Sequence, residues 1–285
     1  MKKILITGGD GQLGKAFKII MCHYKKYDFV IKSKKDLDIT NIESLKKEIK
    51  KNNYDFIFNC AAYTDVNKAE KNKNHVMITN FESVKNILEV IQNSNSKLIQ
   101  FSSDYVFNGD KKLEYTEEDQ PNPINNYGHS KYLAEKYIID SSCKSIIIRT
   151  SWLFSQFNNN FVKKILYLSK DNKSIKVTDK ETGCPTYAPD LANFCMKLCE
   201  SKLVWDGEIF NFTNKGHTSR FAFAKTILDF IGSDCKVVIS EDYVNNEVGR
   251  PLNSKLSLKK IKSKFDITPR DWKDALSECL NEIIL

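Results

Sequence analysis

Tyr127 and Lys131 are the residues of this chain whose types and spacing point most directly to chemistry. They stand four apart in a stretch, Tyr127 to Ser141, whose pattern predicts a helix. Phenol and ammonium therefore leave the same face, one turn apart. A free phenol, with a pKa of about 10, is a poor acid–base catalyst near neutrality. A fixed cation beside it favours the phenolate and is expected to lower that value. The pair could then pass a proton to or from a sugar or alcohol oxygen near pH 7, as reduction of a carbonyl requires. Spacing alone is weak. With 12 Tyr and 40 Lys, the 44 basic residues less four Arg, roughly one or two such matches arise by chance. Tyr132 and Lys136 repeat the spacing on the same helix but point elsewhere.

The elements that must position the pair decide between the two. Lys3–Thr7 reads as a buried strand. Thr7-Gly8-Gly9-Asp10-Gly11-Gln12-Leu13-Gly14 follows it and opens a helix from Gly11 to Tyr24. Glycines 8, 11 and 14 give a tight turn, bare backbone against phosphate and close helix packing, with the helix N-terminus facing a pyrophosphate. Strands at Asp28–Ile31, Asp55–Asn59, Lys97–Phe101 and Ser145–Arg149 alternate with helices at Asn41–Asn52, Val76–Asn93 and Tyr127–Ser141. That alternation predicts an α/β fold, a Rossmann-like doubly wound parallel sheet. After Arg149 it weakens. Helices are read at Phe161–Ser169, Pro189–Cys199, Phe221–Ile231, Leu258–Phe265 and Asp271–Ile284, with strands at Ile175–Val177 and Glu208–Phe212. The expected organisation is a dinucleotide-binding domain over 1–151, with segments of about 174–213 returning to it. A smaller, helix-rich C-terminal substrate lobe then comprises 152–173 and 214–285.

The second strand ends Ile31-Lys32-Ser33-Lys34, with no carboxylate before Asp36. A carboxylate there would take the ribose 2′-hydroxyl of NAD, whereas Lys and Ser suit a 2′-phosphate. NADPH is therefore expected over NADH, with Ser33 a cofactor contact. If the lysines belong only to a solvated loop, that preference falls. Small residues in Asn59-Cys60-Ala61-Ala62-Tyr63-Thr64, after the third strand, would let the cofactor lie on backbone. Ser102 and Ser103, after the fourth, offer a hydroxyl to the oxygen that Tyr127 protonates.

Composition excludes other classes. A chain of 285 residues, 41% hydrophobic and 28% charged, has ample core. No apolar run is long enough for a membrane span, and Ile4-Leu5-Ile6 is too short for a signal peptide, so a cytoplasmic protein is expected. The net charge of +8 is spread without a basic, aromatic-interleaved stripe. No nucleic-acid partner is expected, and the excess suits an anionic ligand. The eight Cys show no Cys-x-x-Cys and read as plain thiols in a reducing compartment; no metal is expected. A homodimer stays open.

The glycine turn, the serine after strand four and the Tyr127/Lys131 pair together resemble extended short-chain dehydrogenases/reductases acting on nucleotide sugars. Asn59 to Glu70, Ser103-Asp104-Tyr105-Val106-Phe107, Arg149 to Phe154, Asn159-Asn160-Phe161, Gly183-Cys184-Pro185-Thr186 and Arg250-Pro251-Leu252-Asn253-Ser254-Lys255-Leu256 narrow the resemblance. It is to the dTDP-4-dehydrorhamnose reductases, from Met1 almost to Leu285. The resemblance implies NAD(P)H-dependent reduction of the C4 keto group of dTDP-4-dehydro-L-rhamnose, a step toward surface polysaccharide. It makes Gly11, Gln12, Leu13, Asp38, Ile39, Ala62, Tyr63 and Thr64 cofactor contacts and Tyr127 the proton donor. Lys131 would also hold the nicotinamide ribose, and Ser103 stands where this family usually has Thr. Asp104 and Trp152 match sugar-nucleotide contacts. Arg250 could grip the phosphates in bidentate fashion or serve a structural ion pair. Three departures stand out. The family's Asp-Gln is blurred into Asp179-Lys180-Glu181-Thr182-Gly183, and a Trp often found after residue 219 is Arg220. Lys15-Ala16 stands where some relatives place a magnesium-binding glutamate. Three alternatives remain. A 4,6-dehydratase would want Glu, not Tyr105, after Asp104. A reductase of another nucleotide-linked 4-keto-6-deoxy sugar remains open. A non-catalytic binding protein, similar to the regulatory subunit of methionine adenosyltransferase, would not need Ser103, Tyr127 and Lys131 complete.

Overall fold

The computed structural model describes residues 1–240 and 248–284. In chain order the first half gives β1 (Lys2–Thr7), α1 (Gln12–Ile20), β2 (Tyr27–Ile31), α2 (Ile42–Asn52), β3 (Phe56–Asn59), α3 (Val66–Lys71), α4 (Lys73–Met77), α5 (Ser83–Ile91), β4 (Lys97–Ser103), α6 (Asn126–Ile139) and β5 (Ser145–Thr150). The second half gives β6 (Leu153–Phe154), α7 (Phe161–Asp171), β7 (Ser174–Val177), β8 (Thr182–Gly183), β9 (Thr186–Tyr187), α8 (Ala188–Glu200), β10 (Glu208–Asn211), β11 (Thr218–Ser219), α9 (Arg220–Phe230), β12 (Lys236–Ile239), α10 (Lys259–Phe265) and α11 (Trp272–Ile284).

Six strands form one parallel sheet in the order β10-β5-β4-β3-β1-β2. The apolar strands are buried on both faces, and their period of two splits them between two cores. Ile4, Ile6, Phe56, Phe58, Ile99 and Ile146 pack with Ala16, Phe17, Leu191 and Cys195 of α1 and α8. Leu5, Ile57, Leu98 and Ile147 pack with Leu45, Ile87 and Ile138 of α2, α5 and α6. The strand order reverses at β1, between β2 and β3, and ligands of such sheets bind outside the strands' carboxyl ends at that reversal. Register brings those ends level: Thr7 pairs with Asn59, Asn59 with Gln100, and Ser103 with Thr150.

A third core, including Phe154, Val162, Val177, Phe223 and Trp272, holds the C-terminal elements together. Here the sequence reading needs correction. Ser174–Val177 does not return to the main sheet; β7 pairs in parallel with β12 instead. Its alternating exposed and buried residues suit a strand with one covered face. In the main sheet, by contrast, β1, β3 and β5 carry unbroken apolar runs. Glu208–Asn211 does join the main sheet, beside β5. The stretch 76–93, read as one helix, is broken by a π-turn at Ile78–Glu82. No helix among the described residues is long and apolar enough to cross a membrane.

Candidate active site

Two adjoining cavities open at the carboxyl ends of the strands. The larger, about 540 Å³, is lined among others by Gly11, Gln12, Leu13, Thr64, Ser103, Asp104, Tyr127, Lys131, Trp152, Arg220 and Arg250. The smaller, about 260 Å³, is lined among others by Gly8, Lys34, Asp38, Ile39 and Tyr63. Gly11, Cys60 and Ala62 line both. Gly8 has φ +64°, and a Cβ there would lie 2.6 Å from the backbone nitrogen of Ala61; one on Gly14 would lie 2.5 Å from the Gly8 carbonyl oxygen. The turn is thus pressed onto the end of β3, leaving bare backbone along the cavity floor. Gly11, the N-cap of α1, supplies no capping side chain, so the first N–H groups of that helix remain open to an anion. A dinucleotide fits these features, from the small cavity over the turn to Tyr127.

Ser33 is a correction. It lines neither cavity, because its N–H and hydroxyl both donate to Asp36 Oδ2, at 3.0 and 2.7 Å. Those bonds also hold the Asp36 carboxyl below its ordinary pKa. Lys32 faces Glu48 at 3.7 Å. Of the three residues read as facing a 2′-phosphate, Lys34 alone reaches the cavity wall.

On α6, Lys131 is buried and Tyr127, one turn before it, is half-buried and lines the larger cavity. Asn125 caps this helix by accepting from the Gly128 N–H at 2.7 Å. A Cβ at Gly128 would lie 2.0 Å from the Tyr105 carbonyl oxygen, so glycine lets the helix start dock on the residues that follow β4. The Lys131 Nζ lies 5.9 Å from the Tyr127 ring centroid and donates to the Phe101 carbonyl at 3.1 Å. Tyr132 packs outside the cleft against a small cluster with Val106 and Leu256, and Lys136 is exposed.

The expected acidification of Tyr127 is not found. Its pKa is raised, first by burial; a hydrogen bond with Ser103 pulls it down, while the charges of Asp104 and Tyr105 push it up. Lys131 is spent on a backbone carbonyl, and burial lowers its own pKa to about 8, with Glu135 and Cys60 opposing. The resting site therefore holds a protonated phenol. Ser103 donates to Asp104 Oδ1 at 2.9 Å and accepts from the Tyr105 N–H. Asp104 Oδ2 is buried without a hydrogen-bond partner, as is the Ser102 hydroxyl. Burial pushes the Asp104 carboxyl up to about 6, against Ser254, Ser103 and Arg220, which favour its charged form.

The outer wall comes from the second half of the chain. Trp152, at φ +45°, carries Arg220 stacked on its ring at 3.5 Å. Arg220 Nε faces Glu181 Oε2 at 3.4 Å. Arg250 donates to the Tyr105 hydroxyl at 3.1 Å and to Asn67 Oδ1 at 2.7 Å. Both of its terminal nitrogens are thus engaged by neutral groups rather than by an ion pair. Gln12 Oε1 accepts from Ser155 and Asn160, and Asn158 donates to the Asp10 carbonyl, strapping the 155–160 segment over the glycine turn.

The model of one family, described as RmlD substrate binding domain, matches residues 1–284. This chain belongs to that family. A dTDP-4-dehydrorhamnose reductase of Aggregatibacter actinomycetemcomitans is 35% identical over 287 residues, covering 97% of each chain. The solved dTDP-4-dehydrorhamnose reductase of Bacillus anthracis, in complex with NADP, superposes with a TM-score of 0.92 at 33% identity, covering 99% of both chains. Its ortholog from Clostridium acetobutylicum gives 0.93 at 33%, covering 99% of this chain and all of that one.

In this RmlD-family protein, two buried polar groups that the sequence reading passed over support the catalytic helix. Glu135, one turn beyond Lys131, accepts from Arg149 Nε at 2.9 Å and Nη2 at 2.7 Å, with both side chains almost fully buried. Asn80, turned inward by the π-turn, accepts from the Tyr63 N–H and donates to the Tyr63 carbonyl and the Ser130 hydroxyl. It ties the β3 loop to α6. The period-four run Tyr127, Lys131, Glu135 was a readable signal for the first; Asn80 carries none in sequence.

Proposed function

We infer that this protein reduces the C4 keto group of dTDP-4-dehydro-L-rhamnose to give dTDP-L-rhamnose, with NADPH as reductant. The observation that carries the reading is a protonated, half-buried Tyr127 beside Ser103, with the Lys131 ammonium behind it, at the end of a dinucleotide-shaped cleft. Full-length membership of the RmlD family supports the choice of sugar nucleotide. The glycine turn of 8–14, Asp38, Ile39, Ala62, Tyr63 and Thr64 would hold the cofactor, with Lys34 in place of Ser33 nearest a 2′-phosphate. Bound there, the reduced nicotinamide supplies a hydride.

Tyr127 gives its proton to O4 as charge develops on that oxygen, and Ser103 hydrogen-bonds the same atom. A phenol of raised pKa is suited to this direction, since it arrives carrying the proton. Lys131 stabilises the phenolate left behind. Asp104 Oδ2, buried and unpartnered, accepts a sugar hydroxyl, and Trp152 bounds the ring. Residues 1–151 and 188–213 would form the cofactor lobe, with 152–173, 214–240 and 248–284 around the sugar. The proposed site of action is the cytoplasm. The test is to mix the protein with dTDP-4-dehydrorhamnose and NADPH or NADH and follow the absorbance of the reduced nicotinamide. Oxidation is expected, faster with NADPH; none at high enzyme concentration overturns the reading.

A further inference from the structure

The Trp152–Arg220–Glu181 wall has no part in the proton transfer. The guanidinium is held on three sides. It lies flat on Trp152 at 3.5 Å, with Phe161 at 5.0 Å. Its Nε points at Glu181, and its backbone N–H donates to the Glu181 carbonyl at 3.2 Å. Trp152 is backed by Gly183, where a Cβ would come within 2.5 Å of the indole. Stacking and ion pairing on one edge fix the plane of the fork. The two terminal nitrogens have no hydrogen-bond partner among the described residues, and the side chain lines the large cavity. The side chain is 15% exposed, so this half-buried cation keeps the N–H groups of both terminal nitrogens open to the cavity.

Its position along the cleft says what they face. Within the one cavity, Tyr105 packs edge-on against Tyr127 at 5.6 Å and its hydroxyl accepts from Arg250, whereas Arg220 lies over Trp152 on the second-half wall. A pyranose with its C4 carbonyl at Tyr127 sets a hydroxyl near Asp104. Its anomeric carbon, which carries the diphosphate, lies across the ring, on the Arg220 side. We propose that Arg220, not Arg250, grips the sugar-proximal phosphate of the nucleoside diphosphate-sugar. Two parallel N–H groups match two phosphate oxygens, whereas each terminal nitrogen of Arg250 already spends one N–H on a protein partner. This rests on the functional reading above in taking the ligand to be a sugar nucleotide.

The experiment is calorimetric binding of dTDP, thymidine and NADP to the full chain and to the variants Arg220→Gln, Arg220→Trp and Arg250→Gln. Removing a charged hydrogen-bonding group is expected to weaken dTDP roughly 10-fold or more. Both Arg220 variants should show that loss, while thymidine and NADP bind as before. Arg250→Gln should lose less. Wild-type affinity for dTDP in Arg220→Trp would overturn the proposal, since an aromatic wall would then suffice. So would a loss confined to Arg250→Gln. Should Arg220→Gln fail to fold, Arg220→Lys carries the test: it keeps the charge without the fork, and unchanged dTDP affinity overturns the proposal. No turnover is measured, so the outcome is separate from the reductase reading. Arg220-dependent dTDP binding without reduction of the sugar would sink the reaction and leave the phosphate contact standing.

Discussion

The floor and the outer wall of the cleft are built in opposite ways. The floor is made of strand ends locked side by side in one sheet. Across it the Thr7 hydroxyl donates to Asn59 at 2.7 Å, and Asn59 donates to Gln100 at 2.8 Å. The wall brings Trp152, Glu181, Arg220 and Arg250 from separate segments and holds them by stacking, one long ion pair and hydrogen bonds. A backbone-locked floor keeps a proton donor and its partners in place with little reorganisation. A wall of side-chain contacts can be rewritten one residue at a time. On the proposed reading, the proton transfer belongs to the floor and the choice of substrate to the wall.

The largest expected break is on the floor. Tyr127→Phe should lower kcat by roughly 10²–10⁴-fold and leave NADP binding intact; a change in KM alone would move Tyr127 to the wall. Next is the support beneath it. Glu135→Gln leaves Arg149 buried and unpaired, and should cost about 3–5 kcal/mol in denaturant unfolding. Replacing both by leucine should recover most of that stability. If the single variant unfolds like the wild type, the floor is less tightly built than described.

pH acts with opposite signs on two residues of the cleft. Lys131, held down to about 8, is charged below that value. kcat should therefore fall as pH rises through about 8, and Lys131→Met should flatten that limb. Asp104, held up to about 6, is ionised above that value. KM for the sugar nucleotide should therefore rise as pH falls through about 6, with Asp104→Asn insensitive there. The smallest contrast lies at the cofactor's far end. Lys34→Ala should reduce the NADPH-over-NADH preference several-fold, of the order of one charged hydrogen bond, while Ser33→Ala should barely move it. Equal effects would mean that Ser33 leaves Asp36 when the cofactor binds.

The same contrast governs what could be read in the sequence. The floor is local: the glycine turn, Ser103 and the Tyr127/Lys131 spacing each sit within a few residues at the end of one element, where apolar period and turn chemistry are legible. Ser174–Val177 was readable as a strand, but its partner β12 was not, because pairing outside the main sheet leaves no mark on the strand itself. The π-turn that swings Asn80 inward was hidden in a continuous helical pattern. The sign of the Tyr127 shift was missed because burial, absent from a spacing argument, outweighs a cation aimed at the Phe101 carbonyl. The wall could be named residue by residue only through resemblance. That Arg220 would lie on Trp152 and face Glu181 depends on distant segments meeting, which no local pattern encodes.

The most direct measurement follows deuterium. NADPH carrying deuterium at its transferable position is incubated with dTDP-4-dehydro-L-rhamnose and the wild-type protein or Tyr127→Phe, and the products are read by NMR. The expected result is dTDP-L-rhamnose labelled at C4 with the wild type and almost none with the variant in the same time. Labelled product formed equally fast by Tyr127→Phe, or no label at C4 with either protein, would contradict Tyr127 as the proton donor of a C4 reduction.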